Sequence, residues 1–173
     1  GNRVVGSAGG ERKVAFLKDE LGLDAAIDYK AEPSLTKALA KAAPDGIDVY
    51  FENVGGKVLD AVIPLLNVNG RVPLCGLVSG YNATSLPDGP DRMNWLMGQI
   101  LRKQLTVRGF IIFNTFGHLY PEFSEAMGGW LKDGRIKYRE EMIDGLENAP
   151  SAFVGLLKGE NFGKRVIRVG PDD

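Results

Sequence analysis

The sequence predicts an α/β fold with a doubly wound, mostly parallel β-sheet. Short apolar segments rich in β-branched residues alternate with amphipathic segments along the chain, so that each pair forms a β-α unit. Repeated units of this kind place parallel strands side by side, with helices on both faces and right-handed crossovers. The 173 residues are enough for a single domain with its own core.

The first half of the chain alternates strands and helices. The predicted strands cover residues 3–7, 25–28, 47–52 and 70–76, and the predicted helices cover residues 11–21, 35–42 and 55–66. Gly22 is a typical C-terminal stop for the first helix. Ser34 is a typical N-cap for the second helix, which is expected to end before Pro44.

The second half continues the alternation with longer helices. Helices are predicted over residues 93–103, about 119–132 and 147–159, and extended segments over residues 104–112, 139–145 and 163–169. Residues 79–91 form the longest stretch without a periodic pattern. Loops of this length in a small domain are often functional.

Composition excludes several classes of function. A net charge of −1 gives no electrostatic reason to expect a nucleic acid or an anionic membrane as partner. No apolar run approaches the ~20 residues of a membrane span, and no signal segment is recognisable. The single cysteine and single histidine exclude an internal disulfide and argue against a dedicated zinc site. We expect a cytoplasmic domain without a metal.

Candidate ligand-binding residues follow the predicted strands, because parallel sheets bind ligands at the carboxyl ends of their strands. The first strand leads into Ser7, Gly9 and Gly10, and then into the basic residues Arg12 and Lys13. An NAD-preferring site normally has an acidic residue here to hold the ribose 2′-hydroxyl. Small residues, open backbone N–H groups and basic side chains suit a 2′-phosphate, and hence NADP. Alternatively, Lys13 lies on a solvated helix face, which is the commoner fate of a lysine.

Three later strand ends carry further candidates, each with an ordinary structural alternative. Tyr29 could reach the same phosphate or the adenine, or be a half-buried packing residue. Asn53 and the two glycines after Val54 suit close backbone approach by a ligand, but also an ordinary turn. Gly76 would let a flat ring lie against the backbone, whereas Cys75 alone would most often be a small buried hydrophobe.

A set of longer stretches identifies a family. In order along the chain they are RVVGSAGGERK, AIDYK, DVYFENVGGKVLDAVIPLLN, CGLVSGYNAT, PDGPDR, RGFII and YREEMIDGLENAPSAFVGLLKGENFGKRVIRV. With them, the chain resembles the cofactor domain of the zinc-independent medium-chain dehydrogenase/reductases, in particular the NADPH-dependent curcumin, alkenal and prostaglandin reductase group. The resemblance implies a Rossmann-like fold and an oxidoreductase that transfers a hydride from NADPH to the β-carbon of an α,β-unsaturated ketone or aldehyde.

The resemblance also implies individual roles. The implied NADP-binding residues are Ser7, Gly9, Lys13, Tyr29, Asn53, Cys75, Gly76, Leu77, Tyr81, Phe110, Ile111, Ile112 and Asn161. Lys13 and Tyr29 match the ligands of the 2′-phosphate, and the segment from Cys75 to Tyr81 matches the one beside the nicotinamide. Phe110 to Ile112 match the strand that contacts the carboxamide. Tyr81 is the implied catalytic residue, whose phenol stabilises charge on the substrate oxygen.

The chain departs from the family pattern at its start. We expect it to lack an N-terminal catalytic domain of about 120–150 residues, together with the first strand and its glycine-rich phosphate loop, which belong at the centre of the sheet. Two inner edges, at residues 3–7 and 47–52, are then expected either to close on each other or to be filled by a second chain. We therefore expect a homodimer, and a fragment that is inactive alone.

Three other functions remain open from the sequence. The first is a non-catalytic fragment that self-associates and binds no nucleotide. The second is a quinone-oxidoreductase-like member of the same superfamily. The third is another Rossmann-like enzyme, such as a methyltransferase, which is weakened because its usual acidic residue after a strand has no clear counterpart.

Overall fold

The computed structural model describes residues 1–85 and 89–171. Its strands are β1 (Val5–Ala8), β2 (Ala25–Asp28), β3 (Ile47–Val49), β4 (Leu66–Leu74), β5 (Thr106–Gly109), β6 (Glu140–Asp144) and β7 (Lys164–Arg168). Its helices are α1 (Glu11–Ala15), α2 (Leu35–Ala42), α3 (Gly56–Val62), α4 (Met93–Lys103), α5 (Ile112–Phe116), α6 (Tyr120–Lys132) and α7 (Ala149–Leu157). A π-helical turn, Phe16–Glu20, extends α1, and a 3₁₀ turn, Ile63–Leu65, extends α3.

Every strand pair in the described residues is parallel, which confirms the predicted α/β class. β1 pairs with β2, β3 to β5 form a sheet in the order β3-β4-β5, and β6 pairs with β7. Helices follow β1 to β6 along the chain and connect the parallel strands. Within the described part of the chain, every helix is too short or too polar to cross a membrane.

One apolar core joins β1–β2 to the sheet of β3 to β5. Its buried members are Ile27, Leu39, Ala61, Val62, Ile63, Leu66, Val72 and Leu105. Ile27 comes from β2, Val62 from α3 and Val72 from β4, so the two sheets are held together by shared helix packing. Burying side chains of this size stabilises the fold by about 1.5–3 kcal/mol each.

A cleft separates β1 from β3. It has a volume of about 1100 Å³, and residues of both strands line it, among them Val5, Ser7, Val49 and Phe51. Val49 and Phe51 are 49% and 55% exposed, and within the described residues β1 pairs only with β2 and β3 only with β4, so each strand keeps one unpaired edge. The alternative that the two halves close directly on each other is wrong, because helices, and not strand pairing, connect them.

The local signals located most elements, although several bounds differ; β3, for example, ends at Val49 instead of residue 52. β2, α2 and α4 have the predicted bounds. β4 begins at Leu66 instead of residue 70, because Leu66 already pairs with Ile47. The extended segment predicted over residues 104–112 ends at Gly109, which pairs with Leu74 at the end of β4. Ile112 begins α5 instead, so its predicted place in a strand is wrong. Residues 86–88 of the predicted loop lie outside the described residues.

Lys103, at the end of α4, caps the main-chain carbonyl groups of the segment that connects α3 to β4. Its ammonium donates to the carbonyl oxygens of Pro64 at 2.6 Å, Leu66 at 2.7 Å and Ile63 at 3.4 Å. Burial, with the charge of Arg102 as a smaller cause, lowers the pKa of Lys103. A single side chain thus satisfies carbonyl groups that the end of a helix leaves without partners.

Replacing Lys103 with Met should destabilise the fold while preserving most of the side-chain volume. The loss of these bonds should cost about 1–3 kcal/mol, which corresponds to a fall in melting temperature of roughly 3–8 °C. Thermal unfolding followed by circular dichroism measures this change. Lys37→Met is the matched control, since Lys37 is exposed on α2. Equal melting temperatures for the two variants would show that Lys103 has no capping role.

Candidate functional site

The carboxyl ends of β4 and β5 open into a hollow of about 550 Å³. Among the residues predicted to bind a cofactor, those that line it are Cys75, Gly76, Leu77, Tyr81, Phe110 and Ile111. Asn114 and Thr115 of α5 also line it, and the sequence analysis missed them because it placed no helix there. Ile112, by contrast, lies outside the lining. The structure therefore brings together most of the residues predicted for the nicotinamide side.

Gly76 brings its main chain close to Tyr81 and Asn53. A Cβ atom at Gly76 would lie 3.3 Å from the Tyr81 hydroxyl, 3.4 Å from the Asn53 carbonyl oxygen and 3.5 Å from Asn53 Oδ1. A side chain here would press on the Tyr81 hydroxyl and lie in contact with Asn53. Gly76 thus keeps a bare stretch of backbone beside the Tyr81 hydroxyl, and the Tyr81 side chain is 67% exposed.

Glu52, which the sequence analysis treated only as the end of a strand, is completely buried beside this hollow. Its Oε1 atom accepts hydrogen bonds from the Gly55 N–H at 2.8 Å, the Val54 N–H at 2.5 Å and the Tyr50 hydroxyl at 3.0 Å. Burial, and then the charge of Glu52, raises the pKa of Tyr50. An acidic residue that ends an apolar strand immediately before Asn-Val-Gly-Gly was the available signal.

The main chain around Glu52 also holds the neighbouring loop. The N–H groups of Cys75 and Gly76 donate to the Glu52 carbonyl oxygen at 2.9 and 3.1 Å. The Val78 N–H donates to Asn53 O at 3.0 Å, and the Ser79 N–H donates to Val54 O at 2.9 Å. Main-chain hydrogen bonds therefore fix the loop that carries Tyr81 against the turn that carries Asn53.

A second group of predicted residues lies at the ends of β1 and β2. A Cβ atom at Gly9 would lie 3.1 Å from the Tyr29 hydroxyl and 2.7 Å from Cε of Lys30. Tyr29 is 43% exposed, so its ring is not enclosed in the core. Ser7 is exposed on β1, where it pairs with Ile27. Lys30 was not predicted as a site residue, although it directly follows the candidate Tyr29 in the sequence.

Lys13 and Asn161 lie on a third part of the surface. The Lys13 ammonium donates to the Gly159 carbonyl oxygen at 2.7 Å, which connects α1 to the segment before β7. Asn161 Nδ2 donates to the Gly163 carbonyl oxygen at 2.9 Å. Each side chain thus has a partner within the chain, and their proposed contacts with a cofactor remain predictions.

One backbone group that the sequence analysis expected to be open is already bonded. The Gly10 N–H donates to the Asp28 carboxylate, and this bond, followed by the one from the Lys30 N–H, lowers the pKa of Asp28. The N–H groups at the start of α1 are therefore not all open, because the end of β2 supplies an acceptor to Gly10. The bonded turn instead holds Gly9 beside Tyr29 and Lys30.

The remaining expectations concern Cys75 and metal binding. Cys75 is exposed, which contradicts its interpretation as a small buried hydrophobe. Among residues 1–85 and 89–171, no group of three or more His, Cys, Asp or Glu side chains could hold a metal ion. A metal-free reaction stays a prediction.

Comparison with known proteins identifies the family. The family model described as "Zinc-binding dehydrogenase" matches residues 1–129. The chain belongs to the zinc-binding dehydrogenase family. Within this family it is 57% identical, over all 173 of its residues, to the NADPH-dependent curcumin reductase of Escherichia coli (strain K12). It is 44% identical over 166 residues to the 2-alkenal reductase (NADP(+)-dependent) of Nicotiana tabacum.

Solved structures of the family give the same result. The crystal structure of CurA from Vibrio vulnificus in complex with NADPH is 58% identical in sequence and superposes with a TM-score of 0.93. This match covers 98% of the present chain and 50% of CurA. The chain also spans 50% of the Escherichia coli relative and 47% of the tobacco relative. The comparisons confirm the predicted Rossmann-like fold and the resemblance to this reductase group.

Proposed function

We propose that this chain is the NADPH-binding part of an oxidoreductase that reduces the C=C bond of α,β-unsaturated ketones and aldehydes. The observation that carries the proposal is the bare backbone at Gly76, which lies beside the Asn53 amide and the exposed Tyr81 hydroxyl. The names of the relatives support it, because they describe an NADPH-dependent curcumin reductase and an NADP(+)-dependent 2-alkenal reductase.

The hollow fits the nicotinamide end of NADPH. Gly76 offers a flat surface without a side chain, while Leu77 and Phe110 add apolar walls on either side. The Asn53 amide beside Gly76 can form hydrogen bonds with the ribose or the carboxamide. When bound there, NADPH would supply the hydride that reaches the β-carbon of the enone.

The ends of β1 and β2 suit the phosphate end of the same cofactor. Gly9 leaves room for the Tyr29 hydroxyl and the Lys30 side chain to approach the backbone, and Ser7 adds a second exposed hydroxyl. Hydroxyl and ammonium groups are donors for a 2′-phosphate. Lys13 would join them by exchanging its bond to the Gly159 carbonyl for a charge-assisted bond.

Tyr81 provides the hydrogen-bond donor to the substrate oxygen in the reaction that we propose, and the α-carbon of the resulting enolate takes its proton from solvent. As a hydride reaches the β-carbon of an enone, negative charge grows on the carbonyl oxygen of the substrate. A phenolic O–H aimed at that oxygen stabilises the charge in the transition state more than in the ground state. Because Tyr81 lines the hollow and is largely exposed, its hydroxyl can contact a substrate stacked on the nicotinamide.

A second candidate function is self-association of a chain that is inactive alone. The cleft between β1 and β3 leaves two apolar strand edges uncovered, and all four residues of the edge strand β5 are exposed. Uncovered edges can pair with a strand of another chain. We therefore propose a homodimer for the chain, in which strand edges such as that of β5 are covered.

Alkylation of Cys75 tests the NADPH proposal on the purified chain. Cys75 is the only cysteine and is exposed in the hollow, so iodoacetamide reports on this place alone. We expect NADPH to slow alkylation by about tenfold at saturation, because a bound nicotinamide would cover the sulfur. Nicotinamide fluorescence gives the affinity in parallel, and circular dichroism checks that the chain is folded. Unchanged alkylation with no fluorescence response would favour the non-binding alternative.

Lys13→Ala tests the preference for NADPH in an active protein that contains this chain. We expect the KM for NADPH to rise about tenfold, because a charge-assisted bond to the 2′-phosphate is lost. The KM for NADH should hardly change, since NADH has no such phosphate. Lys18→Ala is the matched control on an exposed position of the same helical segment. Equal effects on both cofactors would remove the assignment of Lys13 to the phosphate.

Tyr81→Phe tests the proposed hydrogen-bond donor. We expect kcat for enone reduction to fall about 10- to 100-fold, while the dissociation constant of NADPH changes less than about threefold. Steady-state kinetics and fluorescence titration measure the two quantities. Tyr120→Phe, at an exposed tyrosine on α6, is the control. A change in NADPH affinity alone would make Tyr81 a wall of the cofactor site instead of a catalytic residue.

A further inference from the structure

We propose that Glu52 is a positioning residue for the reaction, which sets the place of the Tyr81 hydroxyl through the main chain. This inference rests on the proposed function, since Tyr81 is the donor in that scheme. Glu52 is completely buried and is not among the residues that line the hollow, although its main-chain carbonyl oxygen accepts from Cys75 and Gly76, which do line it. Its influence therefore has to pass through the groups that it binds.

The first step is the turn directly after Glu52. Oε1 accepts from the Val54 and Gly55 N–H groups and from the Tyr50 hydroxyl, so three donors meet at one oxygen. Gly55 has a φ of 73°, a conformation that side chains rarely adopt. A negatively charged acceptor forms shorter and stronger hydrogen bonds than a neutral one. The carboxylate thus holds the main chain of Asn53 to Gly55 in one conformation.

The second step leads from that turn to Tyr81. The Asn53 carbonyl accepts the Val78 N–H at 3.0 Å, and the Val54 carbonyl accepts the Ser79 N–H at 2.9 Å. Val78 begins the 3₁₀ turn that ends next to Tyr81, and the Tyr81 N–H donates to its carbonyl at 3.2 Å. Any shift of the turn after Glu52 is therefore passed on to the hydroxyl beside Gly76. A displacement of about 1 Å in a reacting group costs up to about a hundredfold in rate.

The third step separates positioning from stability. Oε2 of Glu52 is buried and forms no hydrogen bond with a residue of the described chain. A buried carboxylate with an unpaired oxygen is costly, so Glu52 is a poor choice for stability alone. Glu52→Gln keeps an oxygen in the Oε1 position and removes the charge. The melting temperature should then change little, whereas kcat should fall if the strong bonds to the turn are needed.

A double-mutant cycle in an active protein that contains this chain tests the proposal. With Tyr81 present, we expect Glu52→Gln to lower kcat about tenfold. In the Tyr81→Phe background the same change should lower kcat less than about twofold, because Glu52 then has no hydroxyl to position. The melting temperature should stay within about 3 °C of the parent in each case. Glu125→Gln, at an exposed position on α6, is the control and should change neither quantity.

Two results would overturn the proposal. One is an unchanged kcat in Glu52→Gln, and the other is the same fall in kcat with and without the Tyr81 hydroxyl. A fall in kcat that only matches the loss of folded protein would likewise reduce Glu52 to a structural residue.

A second readout does not depend on NADPH. The Cys75 N–H donates to the main-chain carbonyl oxygen of Glu52, at the start of the turn that the Glu52 carboxylate holds. Glu52→Asp, which shortens the side chain by one methylene, should move this turn and so alter the alkylation rate of Cys75 in the ligand-free chain at least about threefold. An unchanged rate in a folded Glu52→Asp chain would contradict the positioning role. Because this test needs no cofactor, failure of the NADPH proposal and failure of the Glu52 proposal give different results.

Discussion

The pairing of β3 with β4 is the interaction on which the candidate site depends. Parallel strands end at the same edge of a sheet, so the bridge between Glu52 and Leu74 brings the residues that follow each strand side by side. The register is fixed from within the core, where Val72 of β4 is 2% exposed. Since a slip by one residue would turn Val72 to the opposite face, the core and the site cannot vary independently.

The two groups of site residues are built differently. The shape of the hollow is set without a ligand. It depends on the main-chain hydrogen bonds around Glu52 and on the absence of a side chain at Gly76. At the ends of β1 and β2, long side chains such as Lys30 supply the charge, and they are exposed. Salt weakens the interactions of exposed cations, but it does not change the main-chain geometry of the hollow. Cofactor preference should therefore depend on ionic strength more than the reactive geometry does.

The sequence predicted elements with strong local signals and missed contacts that only the fold creates. α2 begins directly after Ser34, as predicted, although the Ser34 side chain forms no capping hydrogen bond, and Gly22 follows the first helical segment with a φ of 71°. Glu52 was overlooked because charged side chains are rarely buried, although its three donors lie within three residues of it in the sequence. The partner of Lys13 is 146 residues away, so no local pattern could identify it. Site residues were named chiefly through family resemblance, which does not give their contacts.

The cleft between β1 and β3 determines how the two groups can work together. In the proposed function one dinucleotide would contact both Gly9 and Gly76, on the two sides of the cleft, yet no strand pairing within the described chain spans it. The distance between the groups is instead set by helix packing, in which Leu39 of α2 and Val62 of α3 belong to one cluster with Ile27 of β2. Packing of this kind tolerates small shifts that a hydrogen-bonded ladder would resist. In the proposed function, a chain segment that covers the two open strand edges should therefore tighten the binding of NADPH without touching it, because it would fix the separation of the two groups.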